Sequence, residues 1–356
     1  MPKPPRMFAW IKNNLFSSPM NALLTVAALT LVLSVFVPLV DWLIIDAQWK
    51  GSTPADCPDK EAACWPFIWA RFDQFLYGLY PADQRWRINL GLGIGLGALA
   101  PLFISGMPYK RWLVAFLIVV FPPIAVVLFS GGIFGLSHVE TSLWGGFFLT
   151  LVVSGFVMAM SLPIGVLLAL GRQSSTPLIV AFCGVWVEFW RSVPAVVMLF
   201  VAIIMFPLFM PENLEIDKLL RALIAFTILM STYLAEAVRG PLQSLGAGQY
   251  EAADALGLSY WQRTRLVILP QALVTATPQI TSNFIGLFKE TTVLLIIGLS
   301  DLLGMVQSAS ADLNWLGPGV TATGYIFAAL FFWVFCFAMS RYSARLERKY
   351  GTPGVH

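Results

Sequence analysis

Charge is scarce in this chain. Asp, Glu, Lys and Arg make up 12% of its 356 residues, against about 25% in soluble globular domains. Hydrophobic residues make up 58%, and mean hydropathy is +0.77. That balance excludes an ordinary water-soluble fold and points to a chain that meets lipid. Histidine is nearly missing: His138 and His356 lie far apart, so no metal site is expected. No GxxxxGKS or GxxxxGKT occurs, so the chain has no P-loop and is not expected to bind ATP itself. Neither GxSxG nor HExxH is present, which removes two common hydrolase signatures. The net charge of +3 gives no case for a nucleic acid partner.

What is present is apolar and long. Runs of spanning length fall at about 21–45, 88–106, 112–131, 144–170, 178–210, 218–238, 276–299 and 320–340. They predict an all-α integral membrane protein with about eight transmembrane helices and both ends on one side. The fifth run is too long for one span, and Pro194 is expected to divide it into an interfacial half and a spanning half. The first run is too long for a signal peptide and lacks a small-residue cleavage site after it, so it is read as a helix. Gly91, Gly93, Gly95 and Gly97 give a GxGxxG-like spacing, but inside a spanning helix they read as helix packing.

Basic residues set the orientation. With the N-terminus inside, the inner segments hold 13 of the 22 Lys and Arg, from Lys3, Arg6 and Lys12 to Arg348 and Lys349. The outer segments hold seven, and Arg191 and Lys289 fall at membrane depth. Both termini are therefore expected in the cytoplasm, with 46–87 outside. That outer segment contains Cys57 and Cys64 in "CPDKEAAC", a spacing that can close a short disulfide loop in an oxidising compartment. Composition shifts near residue 140. Residues 1–140 read as an accessory unit of three helices and the loop 46–87, 141–345 as the working unit, and 346–356 as a cytoplasmic tail.

One hydrophilic stretch interrupts the oil: "EAADALGLSYWQRTRLVILP", Glu251 to Pro270. Glu251 is placed near a helix start, where it suits the dipole. Gly257 supplies a left-handed terminator. Ser259 and Gln262 make a capping box for a second short helix, which Pro270 is expected to end. Ala252, Ala253 and Ala255 leave a low-relief surface. On these residues alone the stretch is either an amphipathic loop or a docking element.

This stretch resembles the EAA motif of ABC-importer permease subunits, EAA-x3-G-x9-I-x-LP. Glu251, Ala252, Ala253, Gly257, Leu269 and Pro270 match, and Val267 stands at the usual isoleucine. "VEFWRSVPAVVMLF", "YLAEAVRGPLQSL" and "NFIGLFKETTVLLIIGLSDLL" resemble stretches of polar amino acid permeases, so similarity covers about 170–310. Ser192 and Val193 replace Gly and Thr of that pattern, Glu290 replaces Asp, and Thr292 replaces Ser. The three-helix N-terminal extension resembles a permease subunit of the general L-amino acid importers.

The resemblance implies a type I ABC-importer permease core in the bacterial inner membrane, with coupling helices within 243–270. It implies that Glu251, Ala252, Ala253 and Gly257 dock a cytoplasmic ABC ATPase dimer, which alone holds ATP and Mg. It further implies a second, related permease subunit, a periplasmic amino-acid-binding protein and an L-amino acid substrate, over a broad range or restricted to one polar class. Candidate substrate-binding residues are Arg191, Ser192, Pro194, Asn283, Glu290, Thr291 and Thr292. Arg191 suits a carboxylate, or pairs with Glu188, or snorkels. Asn283 lines a cavity or bridges helices. Thr291 and Thr292 line a path or bond back to their helix. Glu236 and Arg239 read as an intrahelical ion pair. An ion-coupled secondary transporter would need an internal repeat and an acid relay, and a membrane enzyme would need a convergent catalytic set; neither is seen.

Overall fold

The structure, a computed structural model, describes residues 7–57, 61–104, 106–211 and 214–350. Every named element among them is helical. In chain order these are α1 (Met7–Leu15), α2 (Pro19–Val40), α3 (Trp65–Tyr77), α4 (Arg85–Leu99), α5 (Lys110–Ala115) and α6 (Phe121–Ser130). Then follow α7 (Gly146–Gly171), α8 (Pro177–Ser192), α9 (Ala195–Phe200), α10 (Lys218–Ser244) and α11 (Ala247–Ala255). The last are α12 (Tyr260–Arg263), α13 (Leu269–Glu290), α14 (Leu302–Ser310) and α15 (Pro318–Tyr350). Among the described residues seven helical stretches are long and apolar enough to cross a membrane, or up to eight with the bent pair at Pro194.

Two compact units share the chain. The first comprises residues up to 71 together with 309–327. Its α2 shows how a span is written: Ser18 caps Asn21 N–H at 3.1 Å, Pro19 opens the helix, and none of its 22 residues is buried. A helix apolar on every side and uncovered by protein is stable only in lipid, where its backbone bonds to itself. In the same unit Cys57 and Cys64 form a disulfide with Cα atoms 5.9 Å apart. The Cys64 N–H donates to Thr323 Oγ1 at 2.9 Å, Arg71 pairs with Asp312, and Trp49 stacks on Trp65 at 5.1 Å. Helix α3 lies within 46–87, which the sequence suggested only as a loop.

The second unit, 72–308 with the chain from 328 onward, is organised around α7 and α10. Phe148, Leu149, Val153 and Val157 of α7 and Phe226, Met230 and Leu234 of α10 share one core with Leu287 and Leu294. Gly165 permits the close approach: a Cβ there would sit 2.8 Å from both Leu234 Cβ and Ser231 O. The glycines of α4 divide. Gly91 and Gly95 lie against Phe129 and Phe121, as packing requires, but Gly93 and Gly97 meet nothing within 4 Å.

Three prolines follow widened turns. π-Helical turns at Phe116–Val120, Val201–Met205 and Thr264–Ile268 end two residues before Pro122, Pro207 and Pro270. Each turn contains the carbonyl four residues before its proline, the group the ring would strike, and widening moves it aside. Pro270 therefore does not end the second short helix: the helix runs from Tyr260 to Ile297, correcting the expectation from sequence. Pro194 does break its run. Val193 is extended, as a residue before proline prefers, and α8 meets the following helix at 100°. At the other end α15 continues through 346–350, into the expected tail.

Gly165→Val should lower the melting temperature of the detergent-solubilised protein by an overpacking cost of about 1–3 kcal/mol. Gly155→Val on the same helix, where nothing lies within 4 Å, should melt like the parent. Equal losses would contradict the packing assignment. Tryptic mapping of unreduced protein should return Cys57 and Cys64 as a linked pair, and two free thiols would contradict the first unit as described.

Candidate functional site

The segment expected to dock an ATPase is braced throughout. Gly257 has φ +71, and two bonds close α11 around it: Gly257 N–H to Asp254 O at 2.9 Å and Leu258 N–H to Ala253 O at 3.2 Å. This is the Schellman pattern that a left-handed residue after a helix allows. Ser259 and Gln262 then cap each other's backbone N–H groups, at 2.9 and 3.4 Å, and start α12. Arg263 Nη1 reaches both carboxylate oxygens of Asp254, at 2.5 and 2.6 Å, tying α12 back to α11. Its guanidinium also lies over the rings of Tyr250 and Tyr260, at 5.5 and 5.8 Å. Tyr250 packs against a core cluster that includes Val238, Leu242, Ile268 and Ala272 of the membrane helices. Burial pushes the Tyr250 phenol above its ordinary range, opposed by Arg263.

Two details of the sequence reading change here. Glu251 is not at the helix start: α11 begins at Ala247, with Gly246 before it, and has no acid in its first turn. Ala253 is buried, while Glu251, Ala252 and Gly257 are exposed. The exposed surface also carries Leu256 and Trp261, at 79% and 68% exposure. Both are large apolar side chains on an otherwise polar segment. The sequence pattern did not single them out.

A second constellation sits where α8 breaks. Glu236 of α10 receives Arg239 Nε at 3.0 and 3.1 Å and Arg172 Nη1, at the end of α7, at 3.0 Å. Arg191 Nη1 of α8 lies 3.7 Å from the same carboxylate. Glu188 pairs with Arg172 at 3.3 Å, not with Arg191. The Glu236–Arg239 pair is therefore real but is only part of a hub joining α7, α8 and α10. Three guanidinium groups meet two carboxylates, leaving one excess positive charge.

The remaining candidates are dispersed. Ser192 donates to Glu188 O at 2.7 Å, and Pro194 lies at the bend. Asn283 Oδ1 accepts from Gln279 one turn earlier at 3.3 Å, and Glu290 forms no ion pair among the described residues. Thr291 is fully buried, bonding back to Phe288 O at 3.0 Å and to Asp301 Oδ2 at 3.4 Å, which removes it from any solvent-lined path. Thr292 bonds back to Lys289 O at 2.8 Å. Asp301 accepts from Gly304 N–H at 3.0 Å and starts α14. Burial raises its carboxyl to about 6, against the opposing bonds from Gly304, Thr291 and Leu303.

Residues 161–352 match the family described as binding-protein-dependent transport system inner membrane component. The chain belongs to that family. It is a multi-pass permease subunit. Among similar proteins, the inner membrane amino-acid ABC transporter permease protein YhdY of Escherichia coli K12 is 49% identical, over 98% of this chain and 94% of its own. The glutamate/glutamine/aspartate/asparagine transport system permease protein BztC of Rhodobacter capsulatus is 35% identical, over 96% and 93%. Both alignments include the N-terminal extension. A crystal structure of an amino acid ABC transporter with histidines matches 57% of this permease and 92% of that chain, at 26% identity and a TM-score of 0.50.

Glu236→Gln removes the charge that holds three guanidinium groups together. It should destabilise the permease by about 2 kcal/mol, below the 3–5 kcal/mol for breaking a fully buried pair because the Glu236 side chain is 25% exposed. Thermal unfolding in detergent checks this, and a parent-like midpoint would contradict the hub.

Proposed function

We propose that this permease carries L-amino acids from the periplasm to the cytoplasm, with ATP hydrolysed by a separate ABC ATPase dimer. The carrying observation is the braced helix–Gly257–helix element, whose exposed Glu251, Ala252, Leu256 and Trp261 offer a partner a fixed surface. Substrate specificity is inferred from the names of the two near-full-length relatives. A broad range is the reading taken here, by analogy with the general importers that share the N-terminal extension.

A periplasmic binding protein delivers substrate, and a related second permease subunit completes the pathway. Both termini face the cytoplasm on this reading, as the distribution of Lys and Arg favours. No cofactor is held in this chain; ATP and Mg belong to the ATPase. Arg191, Ser192, Pro194, Asn283, Glu290 and Thr292 stay as candidates for the path, with Arg191 the reader of the substrate carboxylate. The broken helix at Pro194 frees backbone groups to line a cavity, as discontinuous helices do in other transporters.

Gly257→Val tests the docking element. A Cβ at Gly257 meets nothing within 4 Å, so the defect is confined to the left-handed backbone, at about 1–2 kcal/mol. Transport and ATPase association should fall while membrane insertion persists. Gly248→Val, equally open and without positive φ, should be mild. Normal ATPase association in Gly257→Val would rule out the docking role.

A further inference from the structure

We infer that Glu188 and Arg191 together read the charged head group of an α-amino acid: carboxylate to Arg191, ammonium to Glu188. This rests on the reading of the chain as an amino acid permease and names how that substrate is recognised.

The hub supplies the argument. Glu236 is saturated by Arg172 at 3.0 Å and by Arg239 at 3.0 and 3.1 Å. Arg191, at 3.7 Å, is within ion-pair range but beyond a hydrogen bond. Glu188 has one contact, to Arg172 at 3.3 Å, and 72% of its side chain is exposed. Arg191 is 37% exposed. The two least-engaged members of the hub are therefore one cation and one anion, and both belong to α8. They stand three residues apart, on one side of that helix, yet do not pair with each other. Opposite charges held apart on one face complement a zwitterion, whose two charges flank a single carbon.

Beside the pair, Gly184, one turn before Glu188 on the same face, leaves open space: a Cβ there would meet nothing within 4 Å. The Arg191 guanidinium carbon lies 5.6 Å from the centroid of the Tyr233 ring, a cation–π contact that leaves its N–H donors for a carboxylate. Glu236 acts as a positioning residue: it holds Arg191 near the bend without consuming its donors. All α-amino acids share this head group, so a site of this kind is indifferent to the side chain.

The test uses the assembled permease–ATPase complex in nanodiscs, without binding protein, and radiolabelled L-glutamine and L-leucine as probes. Wild-type complex should bind both. Glutaminamide, which lacks the α-carboxylate, and N-acetylglutamine, which lacks the ammonium, should compete at least tenfold more weakly than glutamine. Glu188→Gln and Arg191→Gln should each lose tenfold or more for both probes, and Arg191→Lys should recover part. Gly184→Leu touches no charged group and should lose affinity by filling the space, so a charge variant that fails to assemble does not end the test. Parent-like affinity in assembled Glu188→Gln or in Gly184→Leu would overturn the inference while leaving amino acid transport intact. A wild-type complex that binds and transports no amino acid would overturn the functional reading itself. Discs with and without phosphatidylethanolamine separate the sources: binding seen only in its absence would assign the site to that lipid's ammonium and phosphate, against the proposal.

Discussion

One carboxylate, Glu236, holds three guanidinium groups at the point where α7, α8 and α10 meet. In a chain with so little charge, this concentration is the constraint on which the second unit depends. Charges near the bilayer must be compensated, and here the compensation is between helices. Gly165 lets α7 and α10 come together, and the hub fixes the end of α8 to the pair. The hub also explains why the 100° break at Pro194 has a defined geometry: Arg191, three residues before the proline, is held by a carboxylate on another helix.

The same helix, α10, leads from the hub to the docking element. It ends at Ser244, and α11 begins at Ala247 after the Gly246 turn. Tyr250 of α11 packs against the cluster that includes Val238 and Leu242 of α10 and donates its hydroxyl to Leu242 O at 3.3 Å. Arg263 and Asp254 lock α12 onto α11. A partner that moves α11 therefore acts on a braced body attached to α10. On the proposed reading, this is the physical route from ATP hydrolysis to the substrate path.

Spans, caps and the left-handed Gly257 were legible because they depend on local rules: apolar length, side-chain capping and glycine's freedom at positive φ. The break at Pro194 and the continuity at Pro270 were not equally legible, since a proline either ends a helix or is absorbed by a widened turn. At Pro270 the widened turn carries the buried Thr264 and Ile268, whereas at Pro194 the residue before the proline is extended. The ion pairs were legible only within one helix. Glu236–Arg239 follows from a spacing of three, but Arg172 comes from 64 residues away, and no spacing rule reaches it. For the same reason the sequence offered an Arg191–Glu188 pair as one alternative, while in three dimensions Arg172 takes Glu188. Ala253 was misread because a run of alanines does not say which one faces the core.

The most direct measurement is amino acid uptake into proteoliposomes holding the complete complex, with binding protein outside and ATP trapped inside. Uptake should require internal ATP, should follow its hydrolysis, and should persist when ionophores collapse every ion gradient. Uptake that proceeds without nucleotide and stops with the ionophores would contradict the account.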